Sequence, residues 1–467
     1  MDNEPGGGHA PRAVPSAGAD GSVSSSGSSP SRGGGAPLPL PGASSASSRS
    51  APARAQGFAH GMRAFRHRDY RLFWAGALIS NTGTWLANVT VPYVLYRLTR
   101  SELWVGMSTF AQFIPGVLFG PAGGSLADRL DRRRLLIFTQ SLMGAAALAL
   151  WLTWSSGLQS PGVILALVAA SGTLGGLNIP SWQAFVPELV PREDLLSAIT
   201  LNSLQFNAAR ALGPAAAGIV LATLGPGAAF LINAISFLCV LAALALLRQR
   251  APARSSAVTE RGVVRQFRQA LRYIRGQPGI SISIAVAALI AFLGNPVSQF
   301  TVVYSQDVYR VGNVAFGVLS AAMGIGAAAA APLVSGWDTV LPRSVIVRFG
   351  LPAYALACAL FGISGSYALG FVGLFLAGAG FLAVISATNT AVQVIVADAV
   401  RGRVMAARVM SFTLAYSVGA LVQGILADRF GPRPTVTGAG VLMLAIALGL
   451  ALRPARLARL DDSAQPG

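Results

Sequence analysis

The chain contains no lysine: every one of its 35 basic side chains is arginine. A phosphate-binding loop needs a lysine beside the phosphates, and Schiff-base chemistry needs a lysine amine. Neither is available, so the chain carries no recognisable ATP motor of its own. Charge of any kind is sparse, at 11% of residues against 53% apolar. That is too little to cover a soluble globule of 467 residues.

Histidine is nearly absent as well. His9, His60 and His67 all precede the first long apolar run, which excludes a histidine proton relay within a membrane. The two cysteines, Cys239 and Cys358, fall inside apolar runs. They read as small buried hydrophobes rather than as a disulfide or a metal site. No metal-ligand cluster and no nucleophile–base set stands out, so neither an enzyme nor a bound cofactor is expected.

What the chain does have is a succession of apolar runs of about 20 residues, each enough to cross a hydrocarbon core of about 30 Å. The runs do not alternate as barrel strands would. The expected class is all-α integral membrane, with twelve transmembrane helices in two pseudo-symmetric six-helix bundles. The runs lie near 72–97, 104–127, 135–156, 162–186, 195–223 and 227–247, then 280–304, 314–336, 344–364, 367–396, 404–427 and 434–452.

Residues 1–57 are Gly, Ser, Pro and Ala with scattered arginine. Such a segment buries too little apolar surface to offset its ordering entropy, so a disordered cytoplasmic tail is expected. Bundles at 58–247 and 279–453 flank a cytoplasmic linker at 248–278, and 454–467 form a second cytoplasmic tail. In the linker Val263, Phe267, Ala270 and Ile274 recur at helical spacing, with Arg265, Arg268, Arg272 and Arg275 opposite. This pattern predicts an amphipathic helix on an anionic leaflet. A plain solvated linker is the alternative.

A net charge of +18 raises the question of nucleic acid. The arginines, however, gather at the ends of apolar runs, where they orient membrane helices. Most fall on even-to-odd loops and on the tails. Both termini are therefore expected in the cytoplasm, and nucleic acid is not expected as a partner.

The densest of these clusters is GSLADRLDRRR, Gly124 to Arg134. Gly124 and Ser125 are small enough to let another helix approach closely. Asp128 follows about one helical turn on. Arg129, Arg132, Arg133 and Arg134 complete a short hydrophilic hinge between the second and third runs.

The sequence also repeats itself. Gln183 and Glu188 correspond to Gln393 and Asp398, an offset of 210 residues. GPAAAGIVLATLGP, from Gly213, lies over GALVQGILADRFGP, from Gly419, an offset of 206 that pairs Gly218 with Gly424 and Gly225 with Gly431. A duplication of six plus six helices follows. The hinge has a weak echo after the eighth run, at Gly336, Asp338 and Arg343.

Few polar groups interrupt the runs. Arg210 stands mid-way along the fifth, where an arginine costs about 2.5–3.5 kcal/mol on insertion scales. It reads either as a functional group facing a polar cavity or as a structural contact to its own bundle. Asn202, Gln205 and Asn207 lie nearby, and Gly213 and Pro214 follow, with Pro214 expected to kink the helix. Asn178 and Gln183 on the fourth run, Asn295 and Gln299 on the seventh, and Asn389 and Gln393 on the tenth are amides. They are expected either to line a substrate cavity or to bond other helices. No Asp or Glu stands deep in a run, which leaves the coupling ion open.

The hinge resembles the signature loop of the major facilitator superfamily of secondary transporters, commonly written GxxxDRxGRR. Gly124, Asp128, Arg129, Arg132 and Arg133 match, and Asp131 stands where glycine is usual. NSLQFNAARALGPAAAG, Asn202 to Gly218, resembles the enterobactin-exporter and macrolide-efflux branch, and Gly213–Pro214 resembles part of an antiporter motif. The resemblance covers roughly residues 63–455. It implies a transporter working by alternating access, with the hinge as a conformational latch whose Asp128 meets the eleventh helix. A carboxylate there would favour the positive end of a helix starting near Val404. Arg129, Arg132 and Arg133 would pair with carboxylates such as Asp398, unless they only set topology.

The function expected is secondary active efflux of a small amphipathic compound of drug, macrolide or siderophore type, with protons as the coupling ion by resemblance. The expected molecule is a monomer in the inner (plasma) membrane. The alternatives are an uptake carrier or lipid flippase on the same fold, or a transport-inactive scaffold.

Overall fold

The structure, a computed structural model, describes residues 61–248 and 263–462, with no side chains considered at 263–267 and 335–340. The expected N-terminal tail, His9, His60, the first part of the linker and the Asp338 side chain lie outside the described residues.

Twelve long helices follow one another among the described residues. They are α1 Arg68–Thr99, α2 Glu102–Arg129, α3 Arg132–Ser155, α4 Pro161–Phe185, α5 Leu195–Thr223 and α6 Gly225–Leu246 in the first half. The second half has α7 Pro278–Val308, α8 Asn313–Val340, α9 Arg343–Ile363, α10 Tyr367–Ile395, α11 Arg401–Phe430 and α12 Pro432–Ala451. Ten are long and apolar enough to cross a membrane by length and composition. The other two, α1 and α5, are 32 and 29 residues long and carry polar side chains such as Asn81, Asn88, Gln205 and Arg210 within their length.

Local chemistry sets several ends. Proline opens α4, α7 and α12, where its missing N–H is no loss. Gly225 and Gly431 turn the chain at φ of 79° and 88°, a region closed to most side chains. Arg100 after α1 and Arg310 after α7 are the non-glycine residues at positive φ among those described, and they too are 210 apart. The duplication thus survives in the backbone.

The two halves repeat their packing. In the first, α2 lies on α4, and α3 on α4 and α6; in the second, α8 lies on α10, and α9 on α10 and α12. Across the halves, α2 meets α11 and α5 meets α8. Large apolar side chains such as Leu238, Leu333, Phe349 and Leu452 point outward and are more than half exposed. A surface of that kind suits hydrocarbon, not water.

The longest departure from an even helix is α7. It winds as α-helix to Leu289, as π-helix over Ile290–Gly294, as 3-10 helix over Asn295–Phe300, and as π-helix again over Tyr304–Val308. Pro296 lacks the N–H that would continue the ladder. A Cβ on Gly294 would sit 2.5 Å from the Tyr354 ring, so only glycine fits there. The helix runs on to Val308, past the expected end near 304, and brings Asp307 into it.

The linker helix forms over Val263–Gly276. Its Ala270 and Ile274 are buried, the Tyr273 hydroxyl accepts from Ala397 N at 3.1 Å, and Arg403 donates to Gln269 Oε1 at 3.4 Å. Part of the apolar stripe expected to meet lipid is therefore covered by α11 and the turn before it. The C-terminal segment also docks: Leu457 and Leu460 are buried, and Asp461 accepts from Ser344 beside α9.

Candidate functional site

Among the described residues, hydrogen bonds and close helix contacts tie the halves together at one end. There Tyr96 of α1 donates to Asp307 of α7, and Arg100 reaches Asp307 and Gln306 at 3.5 and 3.4 Å. Tyr93 donates to Asn313 Oδ1 at 2.9 Å, and Asn313 Nδ2 donates to the Leu221 carbonyl at 3.0 Å, tying α1, α8 and α5. The Glu102 N–H donates to Asp428 at 3.1 Å between α2 and α11. Gly218 lies against Gly317, and Gly106 against Gly424, so close that an added Cβ would strike the facing backbone. This is the end away from the described chain termini.

Toward the other end the halves part around a cavity of about 1930 Å³. Drug-sized ligand sites run to about 1,000 Å³, so there is room for a large substrate and its water. The wall is mostly apolar with amides set into it, among them Asn81, Asn88, Gln112, Asn178 and Gln183. Gln112 donates to Asn88 at 2.6 Å. Among the described residues the cavity's ionisable lining groups are Asp128 and Arg129 from the end of α2 and Arg403 from the start of α11.

The hinge is shorter than the sequence implies. Gly124 to Arg129 are the last turns of α2, and only Leu130 and Asp131 separate it from α3. Asp131 accepts from Arg134 N at 2.8 Å and caps α3, with an extended backbone at φ −60°. A cap of this kind explains why aspartate serves where the family pattern has glycine. Arg132 pairs with Glu188 at 2.7 Å and donates to the Ala184 carbonyl at 2.8 Å. Arg133 donates to the Leu244 and Ala245 carbonyls at 2.8 and 3.0 Å, closing the end of α6. Asp398 instead pairs with Arg401 at 2.6 Å. In this conformation Arg132 and Arg133 hold their own half together, while Asp128 and Arg129 lie exposed on the cavity.

Arg210 lies between the halves, with no carboxylate paired to it among the described residues. Its guanidinium sits 5.6 Å from the Trp85 ring of α1 and 5.7 Å from the Phe381 ring of α10. Trp85 and Phe206 line the cavity, and Arg210 stands behind them. Gly213 packs on the backbone of Trp85 and Leu86, and α5 runs through Pro214 as one helix.

The remaining amides scatter. Asn178 is buried and accepts from Thr139 at 2.9 Å. Asn202 accepts from the Trp182 indole at 3.2 Å, and Asn207 is exposed and bonds the Ser203 carbonyl. Gln299 donates to the Tyr416 hydroxyl at 2.6 Å. Asn295 is buried in the irregular part of α7, and Asn389 is half-buried on α10. Of the cavity amides named from sequence, Asn178 and Gln183, both on α4, stand on its wall.

Sequence reasoning missed Arg408. It is 8% exposed, two turns into α11, and donates to Thr388 Oγ1 and the Ile385 carbonyl at 3.3 and 3.4 Å. With the helix expected to start near 404 it passed as one more end-of-run arginine. Only the start of α11 at Arg401 places Arg408 two turns inside the helix.

A helical protein with an outward apolar belt, two matched halves and a cavity closed at one end belongs to the class of membrane transporters. A family model described as transmembrane secretion effector matches residues 59–465, and the chain belongs to that family of major facilitator (MFS) transporters. It is 29% identical over 350 residues to an uncharacterised MFS-type transporter of Sinorhizobium fredii, covering 71% of this chain and 82% of that one. It is 27% identical to an enterobactin exporter of Escherichia coli, covering 83% and 92% of the two chains. It is 21% identical to a macrolide efflux protein of Streptococcus pyogenes, covering 80% and 93%. Among solved structures, a bacterial homologue of the human lysosomal transporter Spinster, inward-facing and unoccupied, superposes with a TM-score of 0.68 at 15% identity, covering 86% of this chain and 99% of that one. At that identity the likeness concerns the fold. The chain is a multi-pass membrane transporter and not an enzyme.

Proposed function

We propose that the protein is a secondary active exporter of a small amphipathic compound, working by alternating access. The observation that carries this is the one-ended cavity between matched halves. Contacts between Tyr96 and Asp307, Tyr93 and Asn313, and Gly218 and Gly317 shut the far end. The end bearing Asp128 and Arg403 stands open. Rocking the halves about this site would exchange the two openings. Closure of the open end would carry Asp128 toward the N-terminus of α11, where a carboxylate is favoured.

Export is the reading favoured by the efflux-type relatives. The arginine excess supports a cytoplasmic open end and cytoplasmic termini, and the proposed topology has all twelve helices crossing, α1 and α5 included. Protons are the proposed coupling ion and a monomer the proposed unit. The test is efflux from cells expressing the protein, using labelled erythromycin and enterobactin with and without a protonophore. Lower accumulation that the protonophore abolishes supports the proposal; accumulation equal to that of empty cells for both compounds counts against it.

A further inference from the structure

The cavity does not stop between the halves. Part of its wall comes from α3 and α6, through Gln140, Met143 and Ala147 on the first and Asn233 and Phe237 on the second. These helices pack on members of their own half: α3 on α4 and α6, and α6 on α1 and α3. The cavity therefore has an arm that enters the first bundle.

The arm holds polar groups that the protein leaves partly unused. Gln140 is 4% exposed, and its Nε2 donates to Asn178 Oδ1 at 3.4 Å, but its Oε1 has no partner. Asn233 is 6% exposed, and its Oδ1 has no partner either. Turning either amide over would exchange a spare oxygen for a spare NH2 and leave a polar atom unmatched all the same. Buried amides without partners are costly and uncommon. Both residues stand on the wall of the same cavity, and Met143, Ala147 and Phe237 add an apolar flank to that wall.

Charge narrows what fits. Among the described residues, the ionisable groups on the cavity wall are Asp128, Arg129 and Arg403, from the hinge end of α2 and the start of α11. None belongs to α3 or α6. An anion in the arm would find no cation beside it, and a cation no carboxylate. A neutral hydrogen-bonding group can satisfy either amide, whichever way it is turned, and keeps its apolar remainder on the flank.

We propose that this arm is the specificity subsite of the transporter, and that it binds the uncharged, hydroxyl- or amide-bearing end of an amphipathic substrate through Gln140 and Asn233. The inference rests on the export reading for its biological use, but its test needs no transport. The full chain, with Cys239 and Cys358 replaced by alanine and Met143→Cys as reporter, is placed in liposomes. A neutral methanethiosulfonate labels the reporter in the presence of heptyl glucoside, a neutral hydroxyl-rich amphiphile, or of octanoate, an anionic one. Heptyl glucoside is expected to slow labelling and octanoate to have no effect. Gln140→Met or Asn233→Leu should raise the half-protecting glucoside concentration roughly tenfold, the worth of one buried hydrogen bond. Thr153→Val, on α3 but off the cavity, should not change it. A reporter that never labels, equal protection by octanoate, or protection indifferent to both amide substitutions overturns the subsite. Intact protection in a chain that moves no compound would overturn export alone.

Discussion

Gly218 of α5 and Gly424 of α11 do the same work in the two halves: the first lies against Gly317 of α8, the second against Gly106 of α2. Each is the copy of the other in the internal repeat, and both stand at the closed end. The absence of a side chain is what lets these helices touch there. Gly218→Val should overpack the contact by about 1–3 kcal/mol. Transport is expected to fall at least roughly tenfold. A cysteine at Asn313 should become open to an impermeant thiol reagent added from the far side.

Arg210 is held by the Trp85 and Phe381 rings, 5.6 and 5.7 Å away. These stacked contacts join α5 to α1 and to α10 of the other half, each worth about 0.5–2 kcal/mol. Arg210→Ala should abolish transport and leave the amount of protein in the membrane unchanged. Arg210→Lys keeps the charge but loses the planar group, and should recover only part of the activity. Full transport by the alanine variant would remove Arg210 from the mechanism.

Asp128 lines the cavity opposite Gly402 and Arg403. If it meets the α11 N-terminus when the cavity shuts, Asp128→Asn removes a contribution of at most about 2 kcal/mol. That corresponds to a loss of up to roughly thirty-fold in turnover, with KM and protein level unchanged. Initial-rate measurements across substrate concentration separate these outcomes; a change confined to KM would contradict the latch.

Arg132 binds Glu188 at 2.7 Å and the Ala184 carbonyl at 2.8 Å, with both ionic side chains under one-fifth exposed. Its role in this conformation is to hold α3 to the end of α4. Arg132→Ala should lower the stability of the purified protein by about 1.5–3 kcal/mol, the range for hydrogen bonds to charged groups. Thermal unfolding in detergent measures it. Asp398→Asn, which touches only the exposed pair with Arg401, should shift the same transition by no more than about 1 kcal/mol.

The linear chain determined a good deal. The length and spacing of the apolar runs set the ten apolar helices, because hydrocarbon thickness dictates span length whatever the neighbours are. The repeat was legible because both copies must turn at the same places, with Gly225 and Gly431 at positive φ. Other features depended on how helices meet. Asp131 looked like a departure from a glycine pattern until its cap on Arg134 was seen. Arg132 and Asp398 found partners nearer than each other, and Asn202 and Gln299 bonded Trp182 and Tyr416 away from the cavity wall. Periodicity places a residue on a face of its own helix but does not say which face of another helix arrives there. Only the packing of α3 against α6 made Gln140 and Asn233 share one cavity, and only contacts between the halves decided which end is shut.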